Sequence, residues 1–195
     1  YSLTYPGPFS ASEMEVQIIN QFLADHNFVA GITYHTYSQL VLYPFAYSTD
    51  APAPDKAAMK ALAIEMAKTI PSLDNNGFYK AMQSSELYSA AGILDDYAYG
   101  KHGIFCYTIE LGVEFIPPAE SVKRIVKDNL NAALILLKRP HHTALSGTVF
   151  DQETGKPVQA KISIAGIDDS IVFREPYESD IKNGKYLRLL TPGSY

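Results

Sequence analysis

Apolar positions recur at helical spacing in three segments of the chain. Residues 10–13, Ser-Ala-Ser-Glu, form a capping-box pattern that opens a predicted helix over roughly residues 10–26. An alanine-rich segment predicts a second helix over residues 55–70, and a Pro-Pro pair opens a third over residues 117–138. The apolar positions of the third helix share one face: Val122, Ile125, Val126, Leu130, Leu134 and Leu137.

Short β-prone runs lie between these helices. Residues 29–35 and 39–43 each predict a strand, and the continuous apolar run at residues 104–111 is typical of a buried strand. Residues 78–103 are rich in tyrosine and glycine and show little periodicity, so no regular element is predicted there. The pattern favours an α/β fold.

The pattern changes after the third helix. No helical period follows, and residues 146–150, 160–164 and 185–190 predict short strands with polar turns between them, typical of a β-sandwich. We therefore expect two domains, over residues 1–140 and 141–195. Both ends look cut, so we expect neither domain to be complete.

Composition excludes several classes of function. Hydrophobic residues make up 47% of the 195 residues, which supplies a real core and argues against disorder. The net charge is −5, and no run of Lys or Arg exceeds two residues, so we expect no nucleic-acid partner. We also expect no membrane span and no signal peptide. The single cysteine, Cys106, rules out an intrachain disulfide and a cysteine-based zinc cage, and is best explained as a small buried hydrophobe.

Three segments carry candidate chemistry. His35 ends the first predicted strand, and in open α/β sheets ligand sites gather outside the carboxyl ends of strands. Glu110 lies near the end of an apolar strand, where a desolvated carboxylate is a candidate general base. Asp95 and Asp96 lie between tyrosines, in either a solvated turn or a loop whose carboxylate selects a cationic ligand.

Together these segments resemble the zinc metallocarboxypeptidases of the carboxypeptidase A/B type. The motif is His-Thr-Tyr-Ser-Gln-Leu-Val-Leu-Tyr-Pro at residues 35–44, followed by the tyrosine-flanked segment 88–99 and by Tyr-Thr-Ile-Glu-Leu at 107–111. The resemblance covers residues 1–139 and implies part of a mixed β-sheet flanked by helices, a phosphorylase/hydrolase-like carboxypeptidase fold. The residues from about 144 resemble the start of the transthyretin-like or regulatory β-sandwich that follows the catalytic domain in some members.

The resemblance also implies residue roles. His35 matches the family's third zinc ligand, and Glu110 matches its general base. Four residues match substrate-contacting positions: Thr36, Tyr37, Tyr88 and Asp95. Tyr88 would be the mobile tyrosine that closes over the substrate's terminal carboxylate, and the position of Thr36 and Tyr37 often carries a cis peptide bond.

Asp95 matches the position at the base of the primary pocket, where an acid selects C-terminal lysine or arginine. Alternatively it turns away from the pocket, since Asp96 cannot face the same side in an extended segment. Gly112 and Val113 stand where pancreatic members carry an Arg-Asp pair, so no role of that pair is carried over.

The family's first two zinc ligands come from a His-x-x-Glu motif that this chain lacks. None of its five histidines is followed by glutamate three residues later. We therefore expect one of three Zn²⁺ ligands here, and no activity without the N-terminal half of the catalytic domain. That half is the expected protein partner.

The resemblance implies hydrolysis of the C-terminal peptide bond of peptides or proteins by metal-activated water, with Glu110 as base and a preference for basic residues. Two alternatives stay open: a catalytically dead member that binds peptide C-termini, or an amidase or deacylase of the same fold acting on murein peptides or a small acylated substrate. The family relationship also implies a secreted or periplasmic location.

Overall fold

The computed structural model describes residues 5, 7–51, 53–74, 77–169 and 174–195. Its main sheet has four strands. In chain order the strands are β1 (Ala30–Thr36), β2 (Leu40–Tyr43), β3 (Lys80–Gln83) and β4 (Phe105–Leu111). Their spatial order is β1-β4-β2-β3. Strand β4 runs parallel to β1 and antiparallel to β2, and β2 runs parallel to β3, so the sheet is mixed. The α/β prediction is confirmed.

Helices flank both faces of this sheet. They are α1 (Met14–Asp25), α2 (Lys56–Ala67), the short α3 (Ser84–Leu87), α4 (Leu94–His102) and α5 (Ala119–Lys138), which a 3₁₀ turn at Arg139–His141 follows.

Successive side chains of β4 point to opposite faces of the sheet. Phe105, Tyr107 and Ile109 point into the main core, which also contains buried side chains of α2 and α5. Cys106 points to the opposite face, where it packs with Ala98 of α4. The even-numbered positions of β4 therefore face α4, and this face carries the candidate chemistry.

Most of the predicted elements are found within a few residues of their expected bounds. The N-terminal helix is one exception, because it begins at Met14 rather than near residue 10. The predicted capping box is wrong: Glu13 is the N-cap and makes no side-chain capping bond, while the Ser12 hydroxyl bonds to the Glu13 carboxylate at 2.9 Å.

Segment 78–103 was expected to be irregular, yet it contains β3, α3 and α4. Helix α5 also differs from expectation in what it buries. Its buried positions are Ile125, Asn129, Ala132 and Leu136. Exposed apolar residues of the predicted stripe are Val122, Val126, Leu130, Leu134 and Leu137.

The chain after residue 141 contributes β5 (Ala144–Thr148) and β6 (Lys185–Leu189), an antiparallel pair. The predicted strand 160–164 is reduced to an isolated bridge between Lys161 and Glu178. The domain division and the β-sandwich stay predictions. No helix in the described ranges is long and apolar enough to cross a membrane.

Candidate functional site

His35 and Glu110 occupy paired positions on the parallel strands β1 and β4. Paired residues on neighbouring strands project from the same face, so both side chains lie on the α4 side of the sheet. Glu110 is 6% exposed, whereas His35 is exposed. Burial raises the pKa of Glu110, and His35 offsets part of that rise. A carboxyl group with a raised pKa accepts and returns a proton more readily near neutral pH than an ordinary glutamate does.

Two residues before this pair, Thr33 and Thr108 also occupy paired positions on the same face. The Thr108 hydroxyl donates to Asp95 Oδ2 at 2.7 Å, and the hydroxyl oxygens of Thr33 and Thr108 lie 2.8 Å apart. A hydroxyl carries one proton, so Thr33 is the donor to Thr108. The hydrogen bonds therefore run from Thr33 through Thr108 to the Asp95 carboxylate.

Asp95 lies in the first turn of α4, not in a loop as expected. Its side chain is 1% exposed, and Oδ1 has no hydrogen-bond partner among the described residues. Burial raises the pKa of Asp95, while the Thr108 hydroxyl, the nearby Cys106 thiol and His35 lower it in part. The concern that Asp95 and Asp96 cannot face one side of an extended segment does not apply, because the segment is helical.

Asp96 supports a different part of the site. Its carboxylate accepts the backbone N–H of Ala46 at 2.9 and 3.0 Å and that of Tyr47 at 3.3 Å. Burial raises the pKa of Asp96 to about 6. The second and third residues of α4 thus make contacts at two separate places, Asp95 at the face of β4 and Asp96 at the turn after β2.

The other predicted substrate-contacting residues lie at the surface or near it. Tyr37 and Tyr88 are 51% and 58% exposed, and Tyr88 directly follows α3. The Thr36 hydroxyl donates to the backbone carbonyl of Phe115 at 2.9 Å. The Thr36–Tyr37 peptide bond is cis, as the resemblance implied.

A comparison with protein families matches residues 1–132 to the family described as zinc carboxypeptidase. The chain belongs to the zinc carboxypeptidase family. This confirms the resemblance, and it places the His35–Glu110 pair within the matched region.

The relatives and solved structures that match this zinc carboxypeptidase chain are longer than the chain itself. It is 34% identical to carboxypeptidase A1 of Rattus norvegicus over 141 residues, which covers 70% of the chain and 33% of the relative. It is 27% identical to carboxypeptidase Z of Gallus gallus over 199 residues, covering 93% of the chain and 29% of the relative. The chain therefore spans about a third of the length of these relatives.

Among solved structures, thrombin-activatable fibrinolysis inhibitor matches with a TM-score of 0.60 and 28% identity, covering 67% of the chain and 34% of that structure. Carboxypeptidase A of Helicoverpa armigera matches at a TM-score of 0.56 and 17% identity, which supports the fold alone.

Membership of the zinc carboxypeptidase family implies a bound zinc ion. The described residues can be compared with the ligand set that such an ion requires. A catalytic zinc ion takes three protein ligands and one water. Within the described part of the chain, no group of three His, Cys, Asp or Glu side chains is placed to hold a metal ion. The described residues therefore do not form a complete zinc site, and His35 remains a candidate for one ligand.

Sequence reasoning missed two threonines that support the site. Thr33 precedes His35 by two residues, and Thr108 precedes Glu110 by two. Because strand side chains alternate, each threonine had to share a face with its candidate residue once the strands were assigned. The alternation was therefore a usable signal for finding them.

Proposed function

We propose that this chain contributes a zinc ligand, the general base and the specificity pocket of a metallocarboxypeptidase. The enzyme removes C-terminal amino acids from peptides or proteins and favours lysine and arginine. The observation that carries the proposal is the register between His35 and Glu110 within the family-matched region. It brings a metal-binding side chain and a buried carboxylate to the same face.

Glu110 accepts the proton of the attacking water and passes it to the leaving amine. Two features support this role. The carboxyl group is nearly buried, and burial raises its pKa. A partly desolvated acid near the carboxyl end of β4 matches the proton affinity that such a transfer requires.

Asp95 selects a basic side chain in the substrate. Its Oδ2 accepts the Thr108 hydroxyl, whereas its buried Oδ1 has no partner in hydrogen-bond geometry among the described residues, and the nearby Cys106 thiol is a weak donor. A buried carboxylate with so few strong donors is costly. An ammonium or guanidinium group would supply a charged donor and stabilise the charged form of the carboxylate.

The zinc ion requires ligands beyond this chain's described residues. His35 supplies one, and we infer that the other two come from the segment in which the family carries His-x-x-Glu. The chain by itself is then inactive, and it functions together with that segment. The family relationship also leads us to infer a secreted or periplasmic location. Thr36, Tyr37 and Tyr88 complete the proposed substrate contacts.

The test is a set of matched peptides given to the protein with its complete catalytic domain. The peptides share one sequence and end in Arg, Lys or Phe, each with a free or an amidated C-terminus. We expect release of the final residue only from free C-termini, fastest for Arg and Lys. Equal cleavage of the amidated peptides would point to an amidase and overturn the proposal, as would binding of all peptides without hydrolysis.

A further inference from the structure

A cluster of four charged side chains, three buried and one partly buried, joins the chain after residue 141 to the start of α2. Its members are Asp55, Asp168, Arg174 and Arg188, here called the four-charge cluster. Arg188 Nη2 donates to Asp55 Oδ1 at 3.0 Å and to Asp168 Oδ1 at 2.9 Å. Arg174 Nη2 donates to Asp168 Oδ1 at 2.7 Å. Two positive and two negative groups make the cluster neutral.

The four-charge cluster is bonded directly to helix α4. The fully buried Tyr99 of α4 donates its hydroxyl to Asp55 Oδ2 at 2.8 Å and accepts the Asp55 backbone N–H at 3.1 Å. The Arg174 guanidinium carbon lies 6.0 Å from the centre of the Tyr99 ring. Tyr99 of α4 thus contacts a charged residue before residue 141, Asp55, and another after it, Arg174.

The C-terminal end of α4 is also packed tightly against residues 174–177. The Glu175 backbone N–H donates to the Gly100 carbonyl at 2.7 Å. Gly103, which caps α4 at a φ of +69°, lies so close to Tyr177 that a Cβ there would stand 2.8 Å from a ring carbon. Only glycine fits this position without displacing the ring.

The opposite end of the same helix carries Asp95 and Asp96. Helix α4 has nine residues, so a displacement at Tyr99 is transmitted to Asp95, about one turn away. Because Asp95 is held by one hydroxyl of β4, the position of its carboxylate depends on both ends of the helix.

The Asp55 carboxylate bonds within the four-charge cluster instead of capping a helix. Asp55 is the N-cap residue of α2, yet its side chain makes no capping bond. Burying four charges costs desolvation energy that the ion pairs offset only in part, and the best-attested benefit of such groups is a fixed arrangement. Here the arrangement that the charges fix includes α4.

We propose that residues 141–195 position the specificity pocket, with Arg188 and Tyr99 acting through α4 as positioning residues for Asp95. This inference rests on the proposed function in one respect, the role of Asp95 as the pocket acid. The segment after residue 141 is then part of the substrate-selecting apparatus rather than an appended module.

Hydrogen exchange on the full chain tests the positioning directly. Tyr99→Phe removes one hydroxyl and leaves the ring in place. We expect the amides of α4 to exchange about tenfold faster, with those of α5 unchanged. The matched control is Tyr107→Phe, because the Tyr107 hydroxyl is also buried and donates to the Met59 carbonyl at 3.2 Å, on the other face of the sheet. This control should leave α4 unchanged.

Removing a single charge from the cluster could unfold the protein, so the second variant removes two opposite charges together. The double substitution Asp55→Asn with Arg188→Met removes one charge of each sign, so what remains of the four-charge cluster stays neutral. We expect the same selective loss of protection in α4. Unchanged protection in α4, or an equal increase in all helices, would overturn the inference.

A specificity measurement separates this inference from the proposed function. In the protein with its complete catalytic domain, Tyr99→Phe should lower the ratio of kcat/KM for C-terminal Arg over Phe by about fivefold, and Tyr107→Phe should not. An unchanged ratio despite loosened α4 would overturn the positioning of the pocket. If Asp95→Asn also leaves the ratio unchanged, the proposed pocket itself fails, while the exchange experiment still reports on the four-charge cluster.

Discussion

Thr108 holds the carboxylate of Asp95 by a 2.7 Å hydrogen bond from its hydroxyl to Oδ2. Thr108 lies two residues before Glu110 on β4, so both side chains project from one face of one strand. The candidate base and the candidate pocket acid are therefore fixed relative to each other by a single rigid element. Changes at Thr108 should affect substrate choice more than the chemical step.

Thr108→Val should weaken the preference for basic residues. The hydroxyl lowers the pKa of Asp95, so its loss favours the neutral carboxyl group. We expect a loss of about 1–2 kcal/mol in the free energy of unfolding and a lower kcat/KM ratio of Arg over Phe peptides. Thr69→Val is the control, because the Thr69 hydroxyl donates to the Met66 carbonyl at 2.7 Å, away from the site. An unchanged ratio would remove Thr108 from substrate selection.

Asp95→Asn should abolish the pH dependence of that preference. Burial raises the pKa of Asp95, so the wild-type preference for Arg and Lys should grow as pH rises and the carboxylate forms. A hydrogen bond to a charged group contributes about 1.5–3 kcal/mol, so we expect the variant to lose on the order of tenfold to a hundredfold in discrimination. The measurement is kcat/KM for matched Arg and Phe peptides across pH. Asp25→Asn on α1 is the control, and a preference that survives in Asp95→Asn would refute the pocket assignment.

The raised pKa of Asp96 predicts how the free energy of unfolding depends on pH. Its pKa is raised from 3.8 to about 6, so the folded chain binds the proton more tightly than the unfolded chain does. Its contribution is therefore present below the unfolded value and is lost as pH rises from about 4 to 6.

Asp96→Asn removes that dependence. Relative to the variant, the wild type should lose about 1–2 kcal/mol in the free energy of unfolding across the interval, after allowance for the partial exposure of the group. Urea unfolding of both proteins at several pH values measures the difference. Parallel pH profiles would show that Asp96 does not titrate in this range.

Hydrophobic periodicity was enough to predict β1, β2, β4 and α2, because each of them places apolar side chains in or against the main core. Helix α4 was missed because its sequence offers few apolar residues. Its anchors are polar: Asp95 bonds to Thr108, and Tyr99 bonds to Asp55. Such contacts are tertiary and leave no periodic trace in the sequence.

The candidate site was partly accessible from the sequence. The resemblance pointed to His35 and Glu110, and the sheet register confirms that they are adjacent, although their roles stay proposals. The four-charge cluster was out of reach, since Asp55 and Arg188 are 133 residues apart and neither lies in a recognisable motif. Their pairing depends on how the chain after residue 141 packs onto α4.

The most direct test of the account is the turnover of Glu110→Gln in the protein with its complete catalytic domain. We expect kcat to fall by about a hundredfold to ten-thousandfold, because amide oxygens cannot take the proton from water. The content of bound zinc and the free energy of unfolding should change little. Glu114→Gln, an exposed neighbour beyond the end of β4, should retain normal kcat. Near-normal hydrolysis by Glu110→Gln would contradict the assignment of the base.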